Sequence, residues 1–174
     1  MDVAAFRSLI LDPKLALLFD YWHRLRGQRQ MPDWAEIRPE EFAAALPHSW
    51  VWQTDEQGEF KLRIIGEAVM QMMELNLRGK GPYDLYPPDQ ARALTERLAR
   101  IMAEPCCNFA IGNVYSGGEL VGTGQRLGLP YFDRRAGRRG VIGGAVMDKR
   151  VRGNVEDTTS IYSLTAKEHY LPLP

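Results

Sequence analysis

Of the 174 residues, two are cysteine and three are histidine. The thiols, Cys106 and Cys107, are chain neighbours whose side chains would leave a strand on opposite faces, and a bond between adjacent cysteines is strained. No disulfide framework is therefore expected, and the expected compartment is reducing. His23, His48 and His169 have no Cys or His three or four residues away, so no metal site is expected. No stretch reaches the ~18 consecutive apolar residues of a membrane-spanning helix. Asp2, Arg7 and Asp12 sit where a signal peptide needs a basic start and an unbroken apolar run. A soluble cytoplasmic protein with no membrane partner is the expectation. Neither sign of charge is in surplus: 22 Lys and Arg face 22 Asp and Glu. A nucleic-acid binder needs a basic excess to release counterions, so no nucleic-acid partner is expected. Internal repeats and low-complexity tracts are also lacking.

What is present is an ordinary globular balance, 45% hydrophobic and 25% charged, enough apolar surface to bury one core. Asp12 followed by Pro13 predicts a helix start, because the carboxylate caps exposed N–H groups and proline loses nothing at the first helical position. Leu15, Leu18, Phe19, Trp22 and Leu25 then recur at helical spacing, and Gly27 supplies the stop. A shorter apolar patch, Phe6, Leu9 and Ile10, precedes this helix. Pro39 to Phe42 predicts a brief second helix, ending before Pro47.

From Ser49 to Thr54 and from Glu59 to Ile65 the pattern predicts a β-hairpin, with Phe60, Leu62 and Ile64 on one face. Glu67 to Leu75 has a short helical pattern, the Gly- and Pro-rich segment 76–88 a loop, and Asp89 to Met102 a helix with Ala91, Leu94, Leu98, Ile101 and Met102 inward. Three strands follow, Cys106 to Tyr115, Leu120 to Phe132 and Val141 to Met147, with turns at Ser116–Glu119 and in the arginine cluster 134–139. Segregated helices and strands predict an α+β fold. Tight turns make the five strands one antiparallel sheet, with helices on one face and a hollow between them.

Several patterns are bland on inspection. Gly122-Thr123-Gly124-Gln125-Arg126-Leu127-Gly128 has one residue too many for a dinucleotide loop and opens no helix, so its glycines are read as a bulge or close packing. The Arg134 to Arg139 cluster reads as a solvated hairpin tip rather than an acidic-partner site. Nucleophile elbows, phosphate loops and metal-binding carboxylate pairs are missing, so no catalytic residues are assigned and the chain is not expected to be an enzyme.

Tyr21-Trp22, Leu25-Arg26-Gly27, Met31-Pro32 and Leu46-Pro47-His48, followed by Leu62 to Gly66, Leu77-Arg78-Gly79, Leu129-Pro130 and Ile142-Gly143-Gly144, resemble a stand-alone PAS-domain family common in alphaproteobacteria. The resemblance spans most of residues 15–147. It implies a PAS-like five-stranded antiparallel sheet covered by short helices, with an additional amphipathic helix at the N-terminus. The implied division is a helical extension at 1–30, a PAS-like domain at 31–148 and a C-terminal tail at 149–174. The resemblance also implies a role in sensing a small ligand or binding a partner. Flavin of the photosensor class is disfavoured because Cys106 and Cys107 open a strand, and haem because no histidine lies between His48 and His169. No cofactor is expected.

The expected ligand site comprises Trp52, Leu62, Ile64, Met70, Met73, Phe109, Ile111, Asn113 and Arg126, with Trp50, Phe60, Met72 and Met102 nearby and Tyr115 and Gln125 as further polar groups. Methionine adapts to varied guests, and an inward Arg would favour a carboxylate or phosphate. A filled core remains the competing reading of the same residues. With no output domain expected on the chain, a signal would pass through an interface to a signalling partner. Leu15, Leu18, Phe19 and Trp22 form the expected interface, for a homodimer or a partner, unless they simply cover the sheet. The leading functional expectation is a sensory or regulatory module. An interaction adaptor with a ligand-free core is the alternative, and a small enzyme stands behind both.

Overall fold

The computed structural model describes residues 1–73, 77–116, 119–149 and 161–174. Two helices open the chain, α1 (Val3–Leu9) and α2 (Pro13–Arg26). Asp12 caps α2 as its sequence demands, its Oδ1 accepting from the N–H groups of Lys14 at 2.8 Å and Leu15 at 3.3 Å. Gly27 ends the helix at φ 56°, in the left-handed region that glycine enters at no steric cost. A short 3-10 turn (Trp34–Glu36) and a kinked 3-10 segment (Pro39–His48) lead into the hairpin β1 (Ser49–Thr54) and β2 (Phe60–Ile65). Then come α3 (Glu67–Met73), the single turn α4 (Pro82–Leu85) and α5 (Pro88–Ala103). The long strands β3 (Cys106–Ser116), β4 (Glu119–Asp133), β5 (Arg138–Lys149) and β6 (Ile161–Pro172) complete the chain. The predicted turn at 116–119 falls partly on residues 117 and 118, outside those described.

The fold is α+β, with one sheet in the order β2-β1-β5-β4-β3-β6 and every neighbouring pair antiparallel. Among the described residues it has six strands rather than five. The added strand comes from the tail, where residues 161–172 pair along the whole outer edge of β3. Among the described residues, no helix is long and apolar enough to cross a membrane.

Helices cover both faces of the sheet, not one. On one face α1, α2 and the 3-10 segments pack against Val51, Cys107, Phe109, Leu127, Leu129, Ile142 and Leu171. Phe6, Leu18, Phe19 and Trp22 are at most 1% exposed there, and the Trp22 indole donates to the Pro130 carbonyl at 2.8 Å. The apolar stripe that the sequence offered as an interface is therefore consumed within the chain: Leu15, Leu18, Phe19 and Trp22 are core residues. The physical reason lies in the sheet, whose long central strands are apolar on both faces and need a second cover. On the other face a smaller core gathers Trp52, Phe60, Leu62, Leu77, Leu98, Ile101, Cys106 and Val141. Adjacent Cys106 and Cys107 thus enter different cores as free thiols, as strand alternation requires.

Candidate functional site

Between the sheet and α5 lies a cavity of about 440 Å³, within the range of small-molecule sites. Its floor follows from strand register. One row crosses all six strands as Tyr170, Asn108, Gly128, Gly143, Trp50 and Ile65. The next row runs Glu168, Ala110, Arg126 and Ala145, and beyond it Gly112, Gly124 and Met147 are paired. Glycine and alanine take many positions in these rows beside Arg126, and larger side chains lean over the glycines, Ile101 over Gly128 and Val114 over Gly124. Trp50 lies across Gly143, and Leu94, Leu98 and Ile101 of α5 close the roof.

The polar groups gather away from Trp50. Arg126 from β4, Arg97 from α5, Tyr86 after α4 and Asn108 from β3 all line the cavity. Burial and the like charge of Arg97 draw the Arg126 guanidinium down to about 10, against the opposing pull of Tyr86 and Glu168, and it remains a cation at neutral pH. Burial pushes the Tyr86 phenol up, and the charge of Arg126 works against that rise. Arg97 forms an ion pair with Glu168 of β6, which also accepts from Asn108 Nδ2 at 3.1 Å. Burial alone would raise the Glu168 carboxyl, but Arg97, Asn108 and Tyr170 together hold it below the ordinary glutamate value. The Arg100 guanidinium lies 3.8 Å from the ring centre of Tyr170, a second tie between α5 and β6.

Of the residues expected from sequence, Trp52, Leu62 and Arg126 line the cavity, as do Trp50 and Gln125 named beside them. Phe109 and Ile111 instead face α1 and α2, and Asn113 is exposed, because Asn108 and Ala110 hold the cavity-facing parity of β3. Ile64 is 39% exposed. A register shift between Val51 and Trp52 leaves Arg63 unpaired, so Ile65 takes the inward position that simple alternation gives to Ile64. Met70 is half-buried on α3 and does not line the cavity. The side chains of Met72, Met73 and Tyr115 lie outside the described residues.

Sequence reading missed Arg97, whose role needs a partner seventy-one residues away, and Tyr86, placed in a loop. It also missed the floor, although a signal was present. Gly122, Gly124 and Gly128 stand two and four residues apart around Arg126, a spacing that puts all four on one face of a strand.

A structure of the PAS domain from Bordetella pertussis BvgS matches with 22% identity and a TM-score of 0.46, covering 63% of this chain and 81% of that one. No curated protein matches the chain. The family model described as PAS domain matches residues 11–120, from just before the cap of α2 to the start of β4. The chain belongs to the PAS domain family.

Proposed function

We propose that this PAS domain is a sensory or regulatory module that binds a dissociable small molecule in the cavity and passes the change to a protein partner. One observation carries the reading: the cavity floor is built from small residues aligned in register, and cationic and aromatic side chains stand around it. The space between the sheet and α5 stays open, where a filled core would have closed it. Among the described lining residues there is no Ser, Thr, Cys, Lys or His. This favours binding over nucleophilic catalysis by Ser, Thr, Cys or Lys, and a metabolite over flavin or haem held through Cys or His. The free, buried thiols suit a reducing cytoplasm.

The test is a thermal-shift screen of the purified chain against neutral and charged metabolites. A ligand that binds only the native state raises its melting temperature in a concentration-dependent way. Such a shift, lost when Ala145→Trp fills the floor, supports the reading. No shift across the panel, with a dry and filled interior in a crystal structure, replaces the sensor with an interaction adaptor.

A further inference from the structure

Arg126 and Glu168 flank Ala110 on the cavity face, one on β4 and one on β6. Two strand spacings separate their backbones, about 9–10 Å, with only a methyl group between them. Arg97 comes down from α5 onto the Glu168 carboxylate and lines the same cavity as Arg126. Two guanidinium groups therefore border the space beside one glutamate. The opposite end is apolar, formed by Trp50, Trp52, Leu62 and Ile101. The two guanidinium groups thus adjoin an apolar region, while Asp89 and Gln90 of α5 and the apolar Val114 and Met147 line the rest of the space.

On the reading that the cavity binds a small molecule, we infer that its ligand is an amphipathic monocarboxylate whose head group lies on Arg126 and competes with Glu168 for Arg97. A carboxylate is the fitting head because the group it replaces at Arg97 is itself one, and the planar guanidinium fork matches its two oxygens. The apolar body fills the space bounded by Trp50, Trp52, Leu62 and Ile101. Binding then loosens β6 on α5, because Glu168 loses its ion pair to the ligand while the Arg100–Tyr170 contact still ties the two elements. Occupancy of the cavity is transmitted to the edge strand, where a partner can read it. The coupling is reciprocal: whatever frees Arg97 from Glu168 tightens the ligand.

Calorimetric titration of octanoate and octanol into the full chain tests this. Wild type is expected to bind octanoate at least tenfold more tightly than octanol, and Arg126→Gln to erase that preference while leaving octanol binding unchanged. Glu168→Gln is expected to tighten octanoate by about five- to tenfold, the lower range of measured couplings, without affecting octanol. Octanoate, and not octanol, should speed amide hydrogen exchange in residues 167–172. Equal binding of acid and alcohol overturns the inference and leaves the cavity reading standing, as does a preference that survives Arg126→Gln. Octanoate binding that Glu168→Gln leaves unchanged or weakens overturns the competition at Arg97. If Arg126→Gln fails to fold, the Glu168→Gln comparison decides in the same two directions. Binding of neither probe removes the carboxylate inference, and the metabolite screen separately decides the fate of the cavity reading.

Discussion

The indole of Trp50 lies across Gly143 so closely that a Cβ added to the glycine would stand 2.4 Å from the ring and 2.1 Å from the Leu127 carbonyl oxygen. The ring is a side chain and has somewhere to go; the carbonyl is part of the sheet. Gly143→Ala should therefore cost about 3 kcal/mol, the upper end of ordinary overpacking. Shrinking the neighbour with Trp50→Leu should not restore it. At Gly128 the first contact is the Ile101 Cδ1 at 3.1 Å, the mobile end of a side chain. Gly128→Ala should cost only about 1 kcal/mol, and adding Ile101→Val should relieve it. Urea denaturation of the single and double variants checks both.

Phe19→Asp should abolish cooperative folding. The side chain is 1% exposed between α2 and the sheet, and an unpaired carboxylate there costs about 4 kcal/mol or more, a large part of a domain's stability. A folded, soluble Phe19→Asp variant within about 0.5 kcal/mol of wild type would instead place this face on the surface. The milder Trp22→Phe strips the donor from the buried Pro130 carbonyl and should cost about 1–3 kcal/mol.

Acid should weaken the fold partly through Asp133. Burial acts to raise its carboxyl, but the Ala136 N–H and the side chains of Gln53 and Arg63 donate to it and bring it below the ordinary aspartate value. A depressed folded value means that the unfolded chain takes up the proton first. The stabilisation is fully present above the ordinary aspartate value near ~3.9 and drains away as pH falls through the lower folded value. Stability measured from about pH 5 to about pH 3 should fall less in Asp133→Asn than in wild type. Parallel curves would show that this carboxylate is not what acid attacks.

The chain's local punctuation was legible before any coordinates. Asp12 and Pro13 announced α2, Gly27 its end, and Glu104-Pro105 the end of α5. The glycine at 137, with φ 64°, marks the turn that the arginine cluster promised, and its residues 134–137 are exposed as a hairpin tip. These features rest on hydrogen bonds and backbone angles within a few residues, so sequence alone carries them. Less could be said of residues 161–172, since a strand that lies on a sheet edge needs only a partner, and β3 is some fifty residues away.

The candidate site was harder to see because it depends on parity. Assigning Phe109, Ile111 and Asn113 to the cavity was wrong by one residue, and in a strand one residue exchanges the faces. Phe109 and Asn108 are both buried, so burial pattern by itself could not tell a cover of α2 from the wall of a cavity. The shift at Arg63 made the same exchange between Ile64 and Ile65.

What the sequence determined by itself was therefore most of the elements, α4 and β6 excepted, their order, the antiparallel pairing forced by tight connections, and the two thiols kept apart by alternation. Only the tertiary structure decided which face of each strand looks into the cavity, that α2 covers the opposite face, and that Arg97 meets Glu168 beside Arg126. Helices and turns are fixed by neighbours in the chain. A cavity is fixed by register across strands, where the small residues of β3, β4 and β5 fall into line only once the sheet has closed.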